Sequence, residues 1–141
     1  MLNRTQVLEK SADYFQLYIS YVPENVDIVD FTAEQLVAQE AFFRSIPEDK
    51  LEYRYAEGKW TPKEILGHMT DCERIFQCRI LRFARNDKTD LPGFEENDYV
   101  MATDFNARSL DDLLEEARNV RAAGVSLYRS LTEDERWRSG T

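Results

Sequence analysis

His68 is the chain's only histidine, and acids flank it: Glu64 stands four residues before it and Asp71 three residues after it. On a helix those spacings put the three side chains on one flank, since residues three and four apart are neighbours there. An imidazole beside carboxylates suits acid–base work, or a divalent metal whose catalytic site takes about three protein ligands and keeps one position open. A lone imidazole equally suits a hydrogen-bonded structural role, so the residue types by themselves leave both readings open. Cys72 and Cys78 lie six apart in the same stretch. That spacing matches neither a zinc knuckle nor a redox pair, and the two read as small buried hydrophobes in a reducing cytoplasm.

At about 100° per residue from Pro62, Ile65, Met69, Cys72, Phe76, Ile80 and Phe83 fall on one stripe, the face expected to turn to the core. His68 sits about 60° from the centre of that stripe and Arg79 about 40° from it. Arg121 falls near the centre of a later stripe made by Leu110, Leu114, Ala117, Val120 and Tyr128. Inward-leaning arginines need carboxylates. Glu40, beside Leu36 and Phe43 on the apolar face of an earlier helix, and Asp71 are the first candidates. Either these groups form an ion-pair network that sets helix register, or one arginine anchors an anionic group of a thiol or carboxylate substrate. Gly124, between Arg121 and Tyr128, marks a place where a neighbour packs closely.

The elements that must position these residues are helices. Three starts carry a capping pattern, a Ser or Thr followed three residues later by an acid or amide: Thr32 with Gln35, Thr61 with Glu64, and Ser109 with Asp112. At the second, Pro62 takes the first helical position and Trp60 is placed to staple onto Ile65. These signals predict helices ending at Pro47, near Arg85 and near Leu131, with a further short helix over residues 6–21 closed by Pro23. No segment alternates like a strand, so the class is all-α. The long connection between Arg85 and Ser109 contains Leu91, Pro92, Gly93 and Phe94, a turn with apolar anchors that predicts ordered packing.

The 141 residues carry a net charge of −9, and residues 86–116 hold ten Asp and Glu against Lys88 and Arg108. Such a surface repels phosphate backbones and argues against nucleic-acid binding. No apolar run approaches the ~20 residues that span a bilayer, so a single cytoplasmic domain over 1–141 is expected. Glu95, Glu96, Asn97 and Asp98 lack the oxygen spacing and central glycine of a calcium loop. A di-metal carboxylate bundle would need Glu three residues before His68, where Ile65 stands.

The run from Tyr55 to Arg74 approaches through Gly58-Lys59-Trp60 and continues as Gly67-His68-x-x-Asp71. It resembles the signature of the DinB-like superfamily of metal-binding four-helix bundles. Arg79, Leu81–Arg85, Leu91–Asn97 and Ser109–Leu113 fit the same pattern, so the resemblance covers residues 14–141. It implies an up-down-down-up bundle in which His68, on the second helix, binds a divalent metal, zinc or nickel, with two histidines of an H-x-x-x-H pair on the fourth helix. This sequence has no such pair. The expectation is therefore a bundle lacking most or all of its fourth helix, with Asp71, Arg79, Arg121 and Glu40 as supporting or substrate-contacting residues.

For the complete protein the resemblance implies a metal-dependent enzyme, a thiol S-transferase or hydrolase acting on a small thiol or anionic substrate. The alternative is a non-catalytic homodimer with a vestigial or incomplete metal site. Three amphipathic helices without a fourth leave an apolar groove, which predicts self-association.

Overall fold

The computed structural model describes residues 2–140, and every regular element among them is helical. The helices are α1 (Arg4–Leu8), α2 (Asp13–Ser20), α3 (Ile28–Ser45), α4 (Pro62–Ala84), α5 (Glu96–Met101), α6 (Leu110–Ser130) and α7 (Glu133–Arg136). Single 3-10 turns lie at Glu48–Lys50 and Phe105–Ala107.

Local chemistry accounts for most of the boundaries. Thr61 and Glu64 form a reciprocal capping box at the head of α4, with Pro62 in the first helical position. Ser109 caps α6 through the Asp112 N–H. By contrast, α3 starts four residues before the expected cap. Asp27 accepts from the Val29 and Asp30 N–H groups, whereas Thr32 lies inside the helix and donates its hydroxyl to the Ile28 carbonyl at 2.8 Å. A carboxylate at the positive end of the helix outcompetes a hydroxyl further on. The single helix expected over 6–21 is two helices, broken where Ser11 donates to the Val7 carbonyl at 2.6 Å.

Side-chain pairs fix the directions of the three long helices. Arg44 meets Asp111, Glu40 meets Arg118, and Asp30 meets Arg129, so α3 and α6 run antiparallel. Arg74 meets Glu116 and Gln77 meets Val120, so α4 and α6 run parallel, and Arg138, beyond α7, reaches Ala84 at the end of α4. Two parallel neighbours oblige the chain between them to travel back the length of the bundle. That is the task of the long connection, and it is packed as expected: Val100 and Phe105 are buried with Phe43, Leu66, Leu113, Leu114 and Ala117 in one core cluster.

The expected core face of α4 is corrected by the structure. Leu66, Gly67 and Thr70 are buried, while Ile65 is 39% exposed, Met69 40% and Phe76 50%. Both faces of this helix are apolar enough to bury, and α6 with the returning connection occupies only one. Cys72 is half-buried and Cys78 exposed, so neither is the buried hydrophobe expected.

Candidate functional site

The outward stripe of α4 forms one wall of an open pocket of about 770 Å³. The N-terminal half of α3, the C-terminal half of α6 and Arg136 at the end of α7 complete it, and Met69, Phe76, Ile80 and Leu131 make it mainly apolar. His68 lines this pocket beside Cys72 and Glu96.

The imidazole is held from three sides. Trp60, one residue before the α4 cap, lays its ring against it with centroids 4.6 Å apart and planes tilted by 48°. The tryptophan therefore orients His68. Cys72, one turn along the helix, has its Sγ 3.5 Å from Nε2 and 3.7 Å from Nδ1. Glu96, brought back by the long connection at the start of α5, places Oε2 3.8 Å from Nε2. Burial, together with the nearby Glu96 and Asp71 carboxylates, pushes the Cys72 thiol up, with Arg79 opposing, so the free thiol is favoured at neutral pH.

The expected supporting residues separate. Arg121 lines the pocket and is nearly buried, but its partner is Glu73 at 2.5 Å, with a further bond to the Thr32 carbonyl at 2.6 Å. Arg79 is only half-buried: it donates to the Pro92 carbonyl at 3.0 Å and lies 5.7 Å from the rings of Phe76 and Phe94. It tethers the connection to α4 and meets neither Glu40 nor Asp71. Glu40 serves Arg44 and Arg118 and does not line the pocket. Asp71 turns away from the His68 pocket into a polar one shared with Arg108 and Glu116, where Arg74 stands 3.6 Å from it. Burial raises the Asp71 carboxyl pKa, with Arg74 opposing.

Glu64 is likewise structural. Its carboxylate accepts two bonds from Arg54, at 2.5 and 2.7 Å, besides those from the Thr61 N–H and Asn106. Glu96 and Arg136 escaped notice in the sequence because each lies far along the chain from His68, and only the return of the connection and the final turn bring them to one pocket.

Among the described residues no group of three His, Cys, Asp or Glu side chains is arranged to hold an ion. His68 offers one imidazole, short of the three ligands that catalytic sites use. No described helix is long and apolar enough to cross a membrane.

Comparison with known proteins agrees with the architecture. The family profile described as the DinB superfamily matches residues 33–139. Among solved structures, YfiT from Bacillus subtilis, described as "a probable metal-dependent hydrolase with an unusual four-helix bundle topology", superposes with a TM-score of 0.67 at 16% identity. The match covers 85% of this chain and 73% of that one. No sequence among the curated proteins matches significantly. The matched span holds the helix bearing His68, the returning connection and the parallel third helix, and on that ground the chain belongs to the DinB superfamily.

Proposed function

We propose that the His68 pocket is the reaction site of a metal-dependent enzyme, a hydrolase or thiol S-transferase acting on a small molecule, with His68 as one ligand of zinc or nickel. The observation that carries this reading is the placement of the only histidine. Its ring faces an apolar pocket, held by Trp60 and flanked by Cys72 and Glu96, where a purely structural histidine would be spent on a core hydrogen bond. Family membership and the description of YfiT support it.

The chain's own contribution is positional. Trp60 sets the imidazole plane, Glu96 faces Nε2 as a carboxylate able to take up a proton, and the apolar walls thin the water around a bound substrate. Among the described residues no second and third ligand are gathered beside His68.

A second reading, a non-catalytic homodimer with an incomplete metal site, is favoured by that shortage of ligands. Two measurements on the purified chain separate them: metal content after dialysis, and turnover of ester, amide and thiol-transfer substrates with added zinc or nickel. The enzyme reading expects weakly held metal, well below one equivalent, and metal-stimulated turnover that His68→Ala abolishes. Turnover indifferent to metal and to His68→Ala, or none at all, favours the second.

A further inference from the structure

We propose that the groove along α4 binds an amphipathic monocarboxylate, its head at Arg136 and its apolar body running towards His68; this rests on the enzyme reading of the same pocket and names its substrate class. Arg136 lines the pocket, and its Nε is buried without a hydrogen-bond partner. A buried donor left unmade is costly, and a carboxylate oxygen is the acceptor that suits a guanidinium best.

The surrounding acids are already committed. Glu135 takes bonds from Arg85 and the Thr132 N–H, at 2.9 and 2.8 Å, and Asp134 pairs with Arg138 at 2.6 Å. Within the pocket, Glu73 is matched by Arg121, and Glu96 faces His68. Arg136 is thus the cation left to serve a ligand. The two glutamates on the walls disfavour a doubly charged head such as a phosphate monoester and leave room for a single negative charge.

Shape points the same way. Met69 and Ile80 are separated by eleven residues of α4, or about 16 Å of apolar wall. Phe76 lies between them, and Leu131 stands near the Arg136 end. The volume of about 770 Å³ is that of a small-molecule site. A straight acid fills such a trough, and an ester, amide or thiol group carried at the end away from the carboxylate reaches the imidazole.

The test is displacement of the neutral dye Nile red from the full chain by decanoate and by decan-1-ol, two ligands with the same tail. Decanoate is expected to bind about ten-fold more tightly, the worth of one charge-assisted contact. Arg136→Gln should remove the preference while leaving decanol binding as it was, Arg136→Lys should restore part of it, and Arg118→Gln, which pairs with Glu40 away from the pocket, should change nothing. Unfolding curves for each variant confirm that the bundle persists. Equal binding of the two ligands, a preference that survives Arg136→Gln, or no dye uptake because a second copy closes the groove each overturns the proposal. Binding is measured with a chelator present, so failure of metal-dependent turnover with decanoate preference intact counts against the enzyme reading alone.

Discussion

Gly67 lies directly against the ring of Phe105: a Cβ on Gly67 would come within 2.3 Å of Cδ1 and Cε1 of that ring. The contact clamps the returning connection onto α4 one residue before His68. The same connection carries Glu96 to the imidazole.

Gly67→Ala should therefore destabilise the fold despite alanine's better helix propensity. Overpacking a buried ring costs about 1–3 kcal/mol, against about 1 kcal/mol gained in the helix. Urea denaturation should show the loss, and adding Phe105→Leu should recover part of it. Gly124→Ala meets only the end of the Gln77 side chain, which can swing away at the expense of its 2.8 Å bond to Val120, so its cost is expected to be smaller. A Gly67→Ala protein as stable as the parent would deny the clamp.

Arg121 and Glu73 are an unequal pair to break. Their side chains are 14% and 18% exposed and meet at 2.5 Å. Removing the carboxylate with Glu73→Ala strands a guanidinium in the pocket wall, at about 2 kcal/mol given the remaining access to water, whereas Arg121→Met replaces it with apolar volume and should cost less. Thermal unfolding of the two variants orders them; equal, negligible shifts would show that the pair is solvated.

Glu64 makes part of the stability depend on pH. Burial alone would raise its carboxyl pKa, but the bonds from Arg54 and Thr61 outweigh that, and the folded value lies below the ordinary 4.5. Its contribution is thus fully present above the unfolded pKa and is lost as pH falls through the folded one. Glu64→Gln should cost about 1 kcal/mol at neutral pH, a value that allows for the exposure of Arg54, and the gap to the parent should close on acidification below about pH 4. A gap that persists in acid would assign the loss to shape instead of charge.

The aromatic face of α2 is expected to drive association. Tyr14, Phe15, Leu17 and Tyr18 are each more than half exposed on one short helix, an apolar patch that isolated domains seldom leave bare. Sedimentation should depend on protein concentration, and Phe15→Ser with Tyr18→Ser should shift the chain towards monomer. A parent chain that sediments as monomer throughout would contradict this.

Much of the bundle was legible in the sequence, because capping and periodicity are local. Thr61 with Pro62, and Ser109, mark the starts of α4 and α6 through bonds that span three residues, and the family pattern around Gly67-His68-x-x-Asp71 names the superfamily. The start of α3 was misplaced, because the pattern at Thr32 and Gln35 pointed to a cap there whereas Asp27 caps the helix. What only the tertiary structure decided was which apolar face of α4 found a partner. A periodicity states that Met69 and Phe76 share a stripe; it carries no information on whether α6 packs there or on the opposite side. The same holds for the arginines: angular position brought Arg121 inward correctly but could not choose Glu73 over Glu40, since that depends on the height at which two helices cross. Glu96 and Arg136 reach the His68 pocket only through the return of the connection and the turn after α6, and pairings over such sequence distances are set by packing, not by the residues that precede them.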